Sequence, residues 1–268
     1  MTGRRPTILK LGGSAITDKS QDLKPNLVTI HRAIDSLVGF KDRLVLLHGG
    51  GSFAHPFATR AHVQDGYKSK TQFHGLMETE LYLDQLSRIV QVALMQRGIG
   101  FAPLRPMSYL ETNKGRISRV FFNPVEDALD LGLIPLSHGD VVFDSQIGFS
   151  IVSADQLASL FAVRLKALRV LFGSDVDGVY TSDPKRADDA SLVKEVTMEN
   201  YQKVRKGLDK GSSRDATGGM LNKFDESLRL ARTGCESIIF NLKRAESLEL
   251  LLSGRVEEVA CTRFRAWK

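Results

Sequence analysis

Four short apolar runs, Thr7 to Leu11, Arg43 to Leu47, Leu133 to Leu136 and Leu168 to Phe172, constrain this chain most. None shows the alternation of a strand with one wet face, and each runs shortly into glycine, so each reads as a strand covered on both sides. Between them apolar residues recur at helical spacing. Leu76, Leu83, Leu86, Val90 and Leu94 form one stripe over 76–95, and 154–165, 220–231 and 245–252 are patterned alike. Buried strands alternating with amphipathic helices predict an α/β fold around a mainly parallel sheet, because parallel neighbours need a crossover and helices supply it. Segments 113–122 and 140–150 are short and turn-bounded, hairpin material appended near the middle of the chain. Residues 180–189 read as a polar, proline-containing loop. No repeat, low-complexity tract or Pro/Gly/Ser linker interrupts the sequence, which predicts a single domain over 1–268.

Glycine clusters where the strands end. Lys10-Leu11-Gly12-Gly13-Ser14 closes the first run; backbone N–H groups beside glycine approach phosphate oxygens closely, although a tight turn next to a surface lysine has the same spelling. Lys19 follows near enough to return to the same anion. His48-Gly49-Gly50-Gly51-Ser52-Phe53-Ala54-His55 closes the second run, and three successive glycines cost backbone entropy that a ligand against the backbone explains better than packing does. His55, beyond the loop, is placed to donate to an acceptor oxyanion, whereas His48 at the strand end reads as packed or backbone-bonded.

The segment Gly173 to Thr181, with Asp183-Pro184-Lys185 after it, puts Asp175 and Asp177 at a third strand end. Carboxylates there bind nucleotide hydroxyls or a metal, or cap the turn. Asp215 to Lys223 opens a helix with Gly218 and Gly219 and sets Lys223 in its first turn, a further anion site by dipole and charge together. Asp155, in Ser153-Ala154-Asp155-Gln156, reads locally as a helix cap. Walker, G-x-G-x-x-G and paired H-R-D and D-F-G patterns are absent, which excludes those routes to ATP.

Composition narrows the remaining classes. The 37 basic and 31 acidic residues leave a formal charge of +6, but they are spread along the chain with no aromatic-interleaved basic stripe, which argues against a nucleic-acid partner. Cys235 and Cys261 have no partners at metal-ligand spacing, so neither a disulfide framework nor a zinc site is indicated and a reducing cytoplasm fits. The apolar run at the amino terminus is too short for a signal-peptide core, and no stretch approaches the roughly 20 apolar residues of a membrane span. A soluble, cytoplasmic, unprocessed protein is expected.

Taken in order, K-x-G-G-S, G-G-G, D-V-D-G-V-Y-T-x-D-P and D-x-T-G-G-M-x-x-K resemble the amino-acid kinase superfamily over essentially the whole chain. The resemblance implies a three-layer open αβα sandwich, with an acceptor-binding half over 1–150 and a nucleotide-binding half over 151–268. Within the superfamily, H-G-G-G-S-F-A-H-P is similar to the loop of isopentenyl phosphate kinases, whose histidine binds the acceptor phosphate and maps onto His55. ATP-dependent phosphorylation of isopentenyl phosphate to its diphosphate, in isoprenoid biosynthesis, is then the leading expectation. The alternatives are a fosfomycin or other phosphonate kinase of the same fold, and a non-catalytic nucleotide sensor.

The same resemblance assigns roles. Lys10 and Lys223 grip the transferring phosphoryl group, Lys19 stabilises its charge, and Asp155 holds the two gripping lysines. ATP falls to Lys10, Gly12, Gly13, Ser14, Gly51, Asp175, Asp177, Gly178, Tyr180, Asp183, Lys185, Gly218, Gly219 and Lys223. The acceptor falls to Gly50, Gly51, Ser52, His55 and Ala154, with its organic part against the 70–97 region. Magnesium is implied as the ATP counterion without a protein ligand, and a homodimer as the assembly. Two positions depart from the family spelling: Ala54 stands where the loop commonly has glycine, and Ala154 where S-G-D-D has glycine.

Overall fold

The computed structural model describes residues 5–182, 190–211 and 219–267. In chain order the strands are β1 (Thr7–Leu11), β2 (Leu44–His48), β3 (Phe101–Pro103), β4 (Leu110–Asn113), β5 (Arg116–Val120), β6 (Ile134–His138), β7 (Asp140–Asp144), β8 (Gly148–Val152), β9 (Arg169–Ser174), β10 (Glu195–Val196), β11 (Glu236–Asn241) and β12 (Cys261–Phe264). The α-helices are α1 (Gly13–Ile16), α2 (Leu27–Asp35), α3 (His55–Arg60), α4 (Phe73–Gln96), α5 (Asn123–Asp130), α6 (Ala154–Arg164), α7 (Tyr201–Gly211), α8 (Gly219–Arg232) and α9 (Ser247–Leu252).

Eight strands form one sheet in the order β10-β12-β11-β9-β1-β2-β6-β3. Every pairing in it is parallel except β11 with β12. The central strands show no alternation because both faces are covered. Ile8, Val45, Leu47, Val170, Phe172 and Ile239 pack on one side with Leu157 and Phe161 of α6 and Phe224 and Leu228 of α8. Leu9, Leu11, Leu46, Leu171 and Phe240 pack on the other with Ile30 and Ile34 of α2, Leu86, Val90 and Leu94 of α4 and Leu251 of α9. The result is the expected three-layer α/β arrangement, and the helical stripe read at 76–95 is the inner face of α4, extended to Phe73–Gln96.

The two hairpins join into a second, four-stranded sheet, β5-β4-β7-β8, through a parallel β4–β7 contact. Its turns are tied by a single carboxylate. Asp144 accepts from Lys114 N at 3.1 Å, Gly115 N at 2.8 Å, Gln146 N at 2.9 Å and Ile147 N at 3.0 Å. The sequence pattern began the first hairpin at Asn113 and ended the second at Ser150, whereas the strands run Leu110–Val120 and Asp140–Val152.

Candidate active site

The ends of β1, β2, β6 and β9 lie side by side in the sheet, in the registers Leu11↔His48, His48↔His138 and Leu11↔Gly173. The turns that leave these strands therefore converge. Gly12 donates to Gly173 O at 2.9 Å and Gly49 to Leu11 O at 2.9 Å, so the two glycine loops are stitched together by backbone. At Gly13 a Cβ would stand 2.4 Å from Gly51 N, and Gly51, at φ +52°, would bring one within 2.1 Å of Thr17 Oγ1. Contacts that close exclude any side chain, which is the structural reason for glycine at both positions.

Beneath the loops lies a buried ionic floor. Lys10 Nζ sits 2.8 Å from Asp155 Oδ1, and Lys223 Nζ sits 3.2 Å from Asp155 Oδ2. Lys10 comes from β1, Asp155 from the first turn of α6, whose Ser153 cap accepts from Gln156 N, and Lys223 from the first turns of α8. All three are at most 6% exposed. Burial works against the Asp155 carboxylate, but Lys10 and then Lys223 hold its pKa below the ordinary range. Burial pushes Lys223 down to about 8, with Asp155 opposing the fall and Lys10 adding to it. One carboxylate between two ammonium groups leaves a net positive charge in a dry place, which suits stabilisation of a phosphoryl group in transfer.

Toward solvent the arrangement loosens. Ser14 Oγ donates to Asp175 Oδ1 at 2.6 Å, and Lys19 Nζ lies 3.9 Å from Asp175 Oδ2 with its side chain 63% exposed. His55 is exposed at the start of α3, directly beyond the glycine loop. Ser52 is buried with its backbone N bonded to Thr17 Oγ1 at 3.0 Å, and Ala154 is buried at the start of α6. Ala54 fits because Gly50 faces it: a Cβ on Gly50 would stand 2.3 Å from that of Ala54.

Several residues expected at the nucleotide also hold the protein together. Asp177 accepts from Asn241 Nδ2 at 3.0 Å, Arg244 at 2.6 Å and the Tyr180 hydroxyl at 3.3 Å, so its carboxylate braces the end of β9 against the turn after β11. Asp177 and Tyr180, both expected at the nucleotide, are thus hydrogen-bonded to each other at the end of β9. Gly178 lies against β12, where a Cβ would meet Thr262 Oγ1 at 2.3 Å. Gly219 opens α8, while Asp183, Lys185 and Gly218 lie outside the described residues.

Sequence reasoning passed over Thr17, whose hydroxyl donates to Gly13 O at 2.7 Å while accepting from Ser52, and over Gly139, whose N–H donates to His48 O at 3.0 Å. The signal for Gly139 was present, since it follows a strand end as Gly12 and Gly49 do; Thr17 carried none. His48 is packed and bonded to backbone as read, with Nδ1 3.2 Å from Gly49 O and its ring 5.2 Å from that of His138. Burial, and then His138, pushes its pKa down to about 3, so it stays neutral.

A family model described as the amino acid kinase family matches residues 5–241. Isopentenyl phosphate kinase of Methanothermobacter thermautotrophicus is 36% identical over 267 residues, covering 96% of this chain and 97% of its own. A solved structure of isopentenyl phosphate kinase superposes with a TM-score of 0.84 at 32% identity, covering 97% of this chain and 99% of that one. A second, a substrate complex of isopentenyl phosphate kinase, gives 0.78 at 27% identity, covering 97% and 100%. Spanning the stitched glycine loops and the ionic floor beneath them, these likenesses show that the chain belongs to the amino acid kinase family, on its isopentenyl phosphate kinase branch.

Proposed function

We propose that the protein moves the terminal phosphate of ATP onto the phosphate of isopentenyl phosphate, giving the diphosphate that isoprenoid synthesis uses. The observation that carries this reading is the Lys10–Asp155–Lys223 floor under two facing glycine loops, with His55 at the outer end of the second loop.

Lys10 and Lys223 hold the transferring group from below, and the N–H groups of the Gly12–Ser14 turn approach the ATP phosphates from the side. Lys19, reaching across Asp175, meets the charge that spreads over the equatorial oxygens as the phosphoryl group becomes metaphosphate-like. The acceptor phosphate, with a second pKa near 6, is already largely dianionic at neutral pH, so no base is required. His55 donates to it and orients it, and the Gly50–Ser52 backbone and the start of α6 at Ala154 confine it. Catalysis is then positioning plus electrostatics. Magnesium accompanies ATP and is held chiefly by its phosphates; among the described residues no group of three histidine, cysteine or acidic side chains is arranged to hold a metal ion.

The acceptor half is assigned to 1–150 and the nucleotide half to 151–268, with Asp175 and Ser14 at the nucleotide side. The organic tail goes toward the first turns of α4, where Phe73 and Met77 are 43% and 58% exposed; Leu83 and Leu86 are core. A homodimer is supported by apolar side chains left exposed on α2 and α4, Leu27, Val28, Val92 and Met95, which flank a groove also lined by His31 and Ile89. No described helix is long and apolar enough to cross a membrane, and the cytoplasm is the proposed location.

An acceptor panel tests the function. Purified protein with ATP and magnesium is offered isopentenyl phosphate, fosfomycin, acetylglutamate and glutamate. Turnover of isopentenyl phosphate well above the rest is expected, and turnover of another acceptor without it overturns the assignment.

A further inference from the structure

Two histidines end neighbouring strands where the glycine turns begin. His48 closes β2 and His138 closes β6, in register with each other and with ring centroids 5.2 Å apart. Alternation along the strands puts both on the α4 side of the sheet, with Leu46 and Leu136, and puts Lys10 on the other side with Ile8. The floor of Lys10, Asp155 and Lys223 therefore lies across the sheet from the two imidazoles.

Each ring makes the same contact. His48 Nδ1 lies 3.2 Å from Gly49 O, and His138 Nδ1 lies 3.1 Å from Gly139 O. A carbonyl oxygen only accepts, so Nδ1 carries a proton in both. In His48 the other nitrogen, Nε2, is buried with no partner among the described residues, which leaves Gly49 O as the single polar contact of that ring among them. A neutral ring with its proton on Nδ1 meets both conditions, since it keeps only a lone pair on the buried Nε2.

The bond to Gly49 O sets the direction of the next N–H. Among the described residues no peptide is cis, and in a trans peptide the carbonyl and the N–H of one unit point opposite ways. With Gly49 O drawn back to the ring on the α4 side, the Gly50 N–H faces the side of the sheet that carries the floor. Gly50 is buried, and among the described residues nothing accepts from its N–H. A buried N–H calls for an acceptor. Glycine on both sides of this peptide would let it turn over; Gly49 N, bonded to Leu11 O at 2.9 Å, fixes only its near end.

We propose that His48, as the Nδ1–H tautomer, is a positioning residue for the acceptor: it holds the Gly49–Gly50 peptide so that the Gly50 N–H is presented to the acceptor phosphate. Without that bond the peptide turns over and offers a carbonyl oxygen to an anion. The inference rests on the reading that Gly50 binds the acceptor phosphate.

Two measurements on the full chain test it. Long-range nitrogen–proton NMR of the ligand-free wild type, with the His48 signals assigned by their loss in the variants below, reads the tautomer directly. A neutral ring with its proton on Nδ1 is expected; an Nε2–H or doubly protonated ring at neutral pH overturns the proposal.

Initial rates with ATP and isopentenyl phosphate, and thermal melts without ligands, compare the wild type with His48→Phe and His48→Asn. Phe keeps a ring and loses the donor, whereas Asn is smaller but sets its Nδ2 where imidazole has Nδ1. The Phe variant is expected to show an acceptor KM raised about tenfold, with the KM for ATP within about twofold of the wild type. The Asn variant is expected to melt lower than Phe, because it leaves a cavity, yet to keep its acceptor KM within about threefold of the wild type. An acceptor KM that follows the melting temperature, worse in Asn than in Phe, reduces His48 to packing and overturns the proposal, as does an equal rise in both KM values. A wild type that turns over other acceptors but not isopentenyl phosphate overturns the acceptor reading, and the positioning role with it, whichever tautomer the spectrum shows.

Discussion

The floor and the rim of the site are built differently. Lys10, Asp155 and Lys223 are at most 6% exposed and satisfied by one another, beneath glycines whose neighbours leave no room for a Cβ. Lys19, at 63% side-chain exposure, and His55, on the surface at the start of α3, are open to solvent. The floor is held in place by the same contacts that hold the sheet together, so it is preorganised before ATP arrives. Substitutions in the floor should therefore damage folding and catalysis together, while substitutions at the rim should read function alone.

The sharpest way to break that contrast is Asp155→Asn, which leaves two buried lysines without a counter-charge. A stability loss on the order of 3 to 5 kcal/mol is expected, together with a fall in kcat of about a thousandfold, checked by denaturant unfolding and single-turnover assays. A fully stable variant would show that the floor is not the structural element described here. His55→Gln should cost about a hundredfold in kcat/KM for the acceptor through misorientation, while unfolding shifts by less than about 0.5 kcal/mol. Lys19→Ala should lower kcat about tenfold with an unchanged melting temperature.

The smallest effect concerns pH. With its pKa pushed down to about 8, Lys223 loses its charge in the ligand-free protein well below the ordinary lysine range, so kcat/KM for ATP should decline as pH rises past that value. ATP restores the charge by binding it, so proton uptake should accompany nucleotide binding in calorimetry across buffers of different ionisation enthalpy. A flat profile up to about pH 10 would show that the floor keeps both lysines charged regardless of burial.

The sequence was most informative where one residue type answers to one physical demand. Runs such as Ile8-Leu9 and Leu46-Leu47 place successive side chains in opposite cores, so their lack of alternation is itself the mark of a covered sheet. Gly13 and Gly51 were legible because only close backbone approach accounts for such a cluster. Asp155 was legible only through the family resemblance: a helix-capping aspartate and a bridge between two lysines are spelled alike, and the difference lies in contacts to residues 145 positions before and 68 after. The bracing role of Asp177 was hidden in the same way, since its partners Asn241 and Arg244 are remote in the chain. Helix α2 and the edge strands β3 and β10 escaped notice because short or weakly patterned segments take their shape from what they pack against.

The central claim, that this floor and rim serve transfer between ATP and a phosphate-bearing acceptor, is most directly tested by phosphorus NMR of wild type and His55→Gln with ATP, magnesium and isopentenyl phosphate. The account predicts that the acceptor's phosphomonoester signal gives way to the coupled pair of a diphosphate as ADP appears, and that this conversion slows about a hundredfold in the His55→Gln variant. An unchanged phosphomonoester signal with the wild-type protein, or equal rates for the two proteins, would contradict it.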